Sequence, residues 1–159
     1  MANDDRSAAD IDIEFPLVNF GGGSGGDQNA KQAMFDLTHE IYSPFNGCDN
    51  WQVFIFCCTY GFGKKKIRKP VPGKGTLPTT AFRGNTRDVM RAIAIAETKD
   101  LRVIKKATGK DGYVRICEEF AYGSLDEVYK RIRTMDDGTE KSGEDVLNKM
   151  IKEIENSRN

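Results

Sequence analysis

Asp49-Asn50-Trp51-Gln52-Val53-Phe54-Ile55-Phe56-Cys57-Cys58-Thr59-Tyr60-Gly61-Phe62-Gly63-Lys64-Lys65-Lys66-Ile67-Arg68-Lys69 is the stretch whose reading decides the fold. Asp49 is of the type that accepts from the open amides of a first helical turn, so a helix is predicted to start there. Trp51, Phe54, Ile55, Cys58 and Phe62 fall on one face of that helix, and Val53, Phe56, Cys57 and Tyr60 on the other. A helix apolar nearly all round belongs inside its neighbours. Gly61 and Gly63 are expected to stop it through the left-handed conformation. The most basic strip of the chain follows at once, with Lys64, Lys65, Lys66, Arg68 and Lys69.

Helical periodicity extends outward from this rod. Upstream, Ala30, Ala33, Met34, Leu37 and Ile41 recur at helical spacing behind Asp27, and Pro44, Asn46 and Gly47 supply a turn. Downstream, Thr86 is positioned to cap a helix carrying Val89, Met90, Ile93, Ala94 and Ala96. A short turn over Leu101, Val103 and Ile104 precedes a helical segment through Val114, Ile116, Cys117, Phe120 and Ala121. Gly123 reads as its break, with a continuation through Leu125, Val128, Tyr129 and Ile132. Ser142 caps a last helix striped with Val146, Leu147, Met150, Ile151 and Ile154, and its Glu144 and Asp145 suit the helix dipole. Short strands are predicted near Lys66–Val71 and Thr79–Phe82, confined to a sheet edge by Pro70, Pro72 and Pro78. The expectation is therefore a mainly α fold: one compact domain of five or six helices around a buried central helix, with a small edge-strand element.

The 159 residues suit one domain, and 38% hydrophobic with 30% charged residues is a soluble globular balance. No apolar run approaches the roughly 20 residues that span a bilayer, and no signal-peptide core is present, so no membrane partner is expected. Cys48, Cys57, Cys58 and Cys117 lack the spacing of a disulfide framework, and read as small core residues in a reducing, cytoplasmic setting. A zinc site would need a second cysteine pair or more than the single His39, so no metal or other cofactor is expected.

The net charge of zero hides a segregation. Residues 1–26 carry Asp4, Asp5, Asp10, Asp12 and Glu14 against Arg6 alone, whereas residues 62–92 carry nine basic residues against Asp88. Between these regions lies Gly21-Gly22-Gly23-Ser24-Gly25-Gly26, whose density of glycine reads as flexible coil. The tract is read as an engineered linker, with a natural Gly-rich loop as the other reading. The domain expectation is an acidic-apolar peptide at 1–20, a flexible linker at 21–26 and a helical domain at 27–159. In the peptide, Ile11, Ile13 and Phe15 alternate with Asp12 and Glu14 in the period of a half-buried strand, and Pro16 marks an edge or a change of register. Ile11, Ile13, Phe15, Leu17 and Phe20 are the expected anchors of a partner-derived peptide held against a sheet edge or groove. An ordinary N-terminal strand is the alternative.

No reaction is legible. Nucleophilic catalysis requires a serine or cysteine activated by a base, and His39 has no evident partner. The Gly-rich tract lacks the Gly-Lys-Ser/Thr ending of a phosphate loop. Glu118-Glu119 and Asp136-Asp137 are adjacent in sequence, do not face each other on a helix, and read as solvated surface. Lys64, Lys65, Lys66, Arg68 and Lys69 are the candidate nucleic-acid contacts, through phosphate neutralisation without base reading. The aromatics do not interleave with these charges, so a base-stacking platform is not expected.

Three stretches carry a family resemblance. Trp51–Phe62 with its basic strip resembles an aromatic helix ending in Gly-Phe. Ala92-Ile93-Ala94-Ile95-Ala96-Glu97-Thr98-Lys99-Asp100-Leu101 resembles an "ALAETGDL" segment. Cys117-Glu118-Glu119-Phe120-Ala121-Tyr122-Gly123-Ser124-Leu125 resembles "EEYANGGL". Together, over about Asp27 to Ile132, they are similar to the fourth of the small proteins associated with Dnd, the bacterial DNA phosphorothioation and restriction systems. The resemblance implies a place in a DNA-modification and anti-phage defence cluster and carries no catalytic residues. The expectation is a non-catalytic adaptor, taking neither a cofactor nor a small-molecule substrate, that binds a short extended peptide of a partner protein from the same system. The alternative is an accessory protein that contacts DNA through its basic strip.

Overall fold

The computed structural model describes residues 17–65, 67–107, 112–135 and 141–157. Among these residues are five α-helices: α1 (Gln28–His39), α2 (Asn50–Tyr60), α3 (Asn85–Thr98), α4 (Tyr113–Arg133) and α5 (Gly143–Asn156). Two short strands, β1 (Leu17–Val18) and β2 (Leu77–Pro78), pair antiparallel with Leu17 opposite Pro78 and Val18 opposite Leu77. The fold is mainly α with a small strand element. The second strand lies near the region expected from sequence, but Thr79–Ala81 is a 3₁₀ turn and 67–71 is irregular.

Sequence punctuation sets most helix starts. The Asp27 carboxylate accepts from Asn29 N–H at 2.8 Å, and Ser142 Oγ from Asp145 N–H at 3.2 Å. At α2 the Asp49 N–H donates to Gln52 Oε1 at 2.8 Å, so the N3 side chain reaches back to the cap as in a capping box. The start of α3 differs from expectation. Gly84, not Thr86, stands at its N-cap with φ +56°.

The rod at 50–60 is central, but it shares that role. Its most extensive packing is against α4, which also meets α1, α3, α5 and the π-helical turn Gly61–Lys65. Val53, Phe54, Cys57, Cys58 and Tyr60 are buried, whereas Trp51, Ile55 and Phe56 are only half-buried. Residues 113–133, expected as two helices, form a single one.

Two glycines read as helix breaks serve close approach instead. Gly61 keeps right-handed angles (φ −60°, ψ −44°), and the chain runs on into the π-helical turn. A β-carbon there would lie 2.7 Å from the Phe120 carbonyl, at the crossing of α2 and α4. At Gly123 a β-carbon would meet the Ile67 carbonyl at the same 2.7 Å. Both positions are small because backbone passes over them. Gly123 therefore stays inside a continuous helix, at a propensity cost of about 1 kcal/mol.

On α5, Val146, Met150 and Ile154 face the bundle, and Ile151 is left half-exposed. The Arg131 guanidinium on α4 clamps the Glu153 carboxylate of α5 at 2.7 and 3.0 Å and also donates to Tyr60 Oη. Ile41, assigned from sequence to the α1 stripe, lies beyond the end of that helix and is 95% exposed.

Candidate protein-binding site at the N-terminal strap

Residues Leu17–Phe20 form a strap across the body. Val18 is fully buried, Phe20 is buried, and Leu17 is 40% exposed. Thr76 N–H donates to the Val18 carbonyl at 3.0 Å, which extends the pairing with β2. The inward side chains are thus Val18 and Phe20, the opposite alternation to that of Ile11, Ile13 and Phe15. Of the residues expected as anchors, Phe20 packs inward and Leu17 stands on the outer side of the strand. Ile11, Ile13 and Phe15 lie outside the described residues.

Asn19 holds the strap most specifically. Its backbone N–H donates to Glu118 Oε1 at 2.8 Å, and its Nδ2 donates to the carbonyls of Pro72 (3.3 Å) and Gly73 (3.0 Å). Its Oδ1 accepts from Gly21 N–H at 2.8 Å. A buried amide satisfied on both ends fixes one register where two residues of strand alone would not.

Glu118 is the buried counterpart. It has no solvent exposure, so the sequence reading of Glu118-Glu119 as solvated surface is corrected. Burial pushes its carboxyl up from 4.5 to about 7, against the opposing pull of the Asn19 N–H and of Arg115. Among the described residues its Oε2 has no hydrogen-bond partner, and Arg115 Nη1 stands 3.6 Å away. Glu119, one residue on, pairs with Arg68 at 2.7 Å, and Arg68 also reaches Glu97 at 3.7 Å.

The glycine tract is folded, contrary to its reading as flexible coil. Asp27 N–H donates to the Gly21 carbonyl (2.7 Å), Gly26 N–H to Gly23 (2.9 Å) and Lys74 N–H to Ser24 (3.0 Å). Gly21 has φ +101°, and a side chain there would strike the Tyr122 ring. A β-carbon on Gly73 would sit 2.6 Å from the Gly26 backbone, so the tract and the 73–75 loop interlock through glycines on both sides. Tyr122 Oη, bonded to Asp27 at 2.9 Å, closes the corner. These contacts join residues 17–26 to the helical body rather than leaving a hinge between them.

Beside the strap an open groove of about 860 Å³ runs between β2 with its 3₁₀ turn and the loop entering α2, lined by Trp51, Leu77, Pro78, Thr80 and Ala81 among others. It shares Thr38, His39, Asn50 and Thr76 with a neighbouring cleft of about 560 Å³, lined also by Phe20, Met34 and Phe35. His39, exposed as expected, stacks on Phe35 with ring centroids 4.1 Å apart, and its Nδ1 lies 2.9 Å from Thr38 Oγ1 and from the Phe35 carbonyl.

The basic strip is not a single surface of free cations. Lys64 pairs with Glu153 at 3.0 Å, and Arg68 is held by Glu119 and Glu97 with its guanidinium 5.9 Å over the Phe120 ring. Lys69 is exposed, and its N–H donates to the Glu119 carbonyl. Lys66 lies outside the described residues, as does the Lys65 side chain. Cys57 and Cys117 are fully buried, and desolvation raises both thiols well above their ordinary value. Ser124 Oγ donates to the Cys57 carbonyl at 2.5 Å and to that of Phe120 at 3.0 Å, which ties it into the helix crossing. Among the described residues no group of three His, Cys, Asp or Glu side chains could hold a metal, and no helix is long and apolar enough to cross a membrane.

Sequence reasoning missed Val18, Asn19 and Glu118. A polar residue inside an otherwise apolar strand pattern, Val18-Asn19-Phe20, was the available signal for the first two.

Fold and site together define a small helical domain with an extended segment laid on its edge. The chain belongs to the family of DNA sulphur modification system-associated protein 4, which it matches over residues 28–159, and so has an accessory place in such a system. The strap and the glycine tract precede the matched part. No curated protein matches the chain. No solved structure does either.

Proposed function

We propose that this protein is a non-catalytic adaptor of a DNA sulphur modification system, receiving a short extended segment of a partner protein in the groove beside β2. One observation carries the reading: the body already holds an extended segment, Leu17–Phe20, by strand pairing and a saturated asparagine, directly beside an open groove. The anchor pattern Ile11, Ile13, Phe15, Leu17 and Phe20 illustrates the acidic-apolar chemistry that such a segment would carry. Sheet-edge recognition of this kind takes affinity from main-chain bonds and specificity from alternate side chains. The partner is a protein of the same system, met in the cytoplasm.

The test mixes the full chain with each purified protein of its own modification system and reads complexes by size-exclusion chromatography. One of them co-elutes with the wild-type chain. Asn50→Arg with Thr80→Arg, both exposed on the groove rim, abolishes that co-elution and leaves the fold intact. Co-elution untouched by the double variant removes the groove from the reading, and no co-elution with any of them removes the adaptor itself.

The second reading, DNA contact through the basic strip, is favoured by the exposed Lys69 and weakened by the carboxylates that occupy Lys64 and Arg68. It requires duplex binding whose salt slope falls in Lys65→Glu with Lys69→Glu. Absence of duplex binding at low salt disposes of it.

A further inference from the structure

Between α3 and α4 the chain makes a 3₁₀ turn, Leu101–Lys105, that neither the groove nor the strap uses. Its surface is unusual for this molecule. Leu101 is 70% and Ile104 37% exposed, while Val103 points into the core. Around them stand exposed Lys99, Lys105 and Lys106, which form no ion pair among the described residues. Arg102 is already occupied, donating to both oxygens of Asp100 at 2.9 and 3.0 Å. The turn is fixed underneath, where Tyr113 N–H donates to the Lys106 carbonyl and Val114 N–H to that of Ala107. The result is a knob that presents two apolar side chains beside three ammonium groups with no ion pair among the described residues.

A nucleic-acid backbone would match the charges and leave Leu101 and Ile104 unused. A segment that alternates apolar and acidic residues matches both. This chain contains one: Asp10-Ile11-Asp12-Ile13-Glu14-Phe15, in a head of sixteen residues with five acidic side chains and Arg6 alone against them. Leu17, where the head joins the strap, is exposed. Asp10–Phe15 stand two to seven residues ahead of Leu17, a reach of about 7–25 Å. The strap runs along α4 from Glu118 at Asn19 toward Tyr122 at Gly21, so its upstream end lies on the side of the Tyr113 end of α4 to which the knob is tied.

We propose that the acidic head, residues 1–16, docks in cis on the knob of Lys99, Leu101, Ile104, Lys105 and Lys106, with Asp10, Asp12 and Glu14 meeting the ammonium groups and Ile11, Ile13 and Phe15 the apolar pair. The contact is electrostatic at its rim and apolar at its centre. A stronger acidic-apolar partner displaces the head and gains the knob.

Zero-length carboxyl–amine crosslinking of the full chain, as an equal mixture of ¹⁴N and ¹⁵N protein, tests this. Asp10, Asp12 or Glu14 becomes joined to Lys99, Lys105 or Lys106 within single chains. The yield falls at least about fivefold at about 0.5 M salt, where screening is complete within a few ångströms, and likewise in Leu101→Ser with Ile104→Ser. Crosslinks from the head to Lys64–Lys74, mixed-isotope crosslinks between two copies, or no crosslinks from the head would each overturn the proposal. Amide spectra of the full chain carrying Asp10→Asn, Asp12→Asn and Glu14→Gln supply the second measurement. Shifted Arg102 and Lys105 amides support docking, and unchanged ones refute it.

Discussion

Replacing Glu118 with glutamine removes a charge at a place where the fold disfavours one. The wild-type carboxyl is fully buried, with one oxygen on the Asn19 N–H and the other without a hydrogen bond among the described residues, and burial holds it near 7 instead of 4.5. Its folded value is raised, so the folded protein binds the proton more tightly than the unfolded chain. The stability this contributes is complete below about pH 4.5 and is lost as pH rises through about 7. The full span is roughly 3 kcal/mol at about 1.4 kcal/mol per unit, of which about 2.5 kcal/mol falls between about pH 5 and pH 8.5. The amide of Glu118→Gln keeps the acceptor for Asn19 and carries no titration. Urea unfolding of both proteins, followed by circular dichroism across that interval, isolates the difference, because every other group cancels. The stability of Glu118→Gln relative to wild type is expected to rise by about 2.5 kcal/mol from the acid to the alkaline end. A difference flat to within about 0.5 kcal/mol would mean that the carboxyl is solvated or already ionised, and the strap would then lack its buried partner.

Three further perturbations probe the same structure. Asn19→Ala strands the Pro72 and Gly73 carbonyls and should cost about 2 kcal/mol in urea unfolding; a cost below about 0.5 kcal/mol would show the strap to be incidental. Gly123→Ala gains about 1 kcal/mol of helix propensity but drives a methyl to 2.7 Å from the Ile67 carbonyl. Net destabilisation is expected, and net stabilisation would restore the reading of Gly123 as a mere weak point in the helix. Arg131→Met removes the clamp on Glu153 and leaves the buried Tyr60 hydroxyl without that donor, at about 2 kcal/mol near neutrality. Arg131 holds the Glu153 carboxyl below its ordinary value, so part of the clamp's stabilisation is present above about pH 4.5 and is lost as pH falls. The gap between variant and wild type should accordingly narrow in acid, and a gap that widens would contradict the pairing.

Helices were legible where local chemistry decides them. Asp27, Asp49 and Ser142 start the helices that their side chains suggest, and the α3 and α5 stripes bury Met90, Ile93 and Ala94, and Val146, Met150 and Ile154. What escaped depends on contacts distant in sequence. Gly61 and Gly123 look like helix stops because a close backbone crossing and a left-handed turn select the same residue. The tract 21–26 looks like coil because nothing local reveals Tyr122, Gly73 or Lys74 above it. Glu118 and Glu119 look alike as neighbours, yet helical rotation sends one beneath the strap and the other toward Arg68. The basic strip looks like an open cationic surface because its carboxylate partners come from α3, α4 and α5.

The central claim is that Leu17–Gly26 is part of the folded body, gripped through Asn19. Amide hydrogen exchange of the full chain measures this directly. The account predicts that the amides of Asn19, Gly21 and Asp27 exchange far more slowly than free peptide. Exchange of those three amides at free-peptide rates, beside a protected α4, would contradict it.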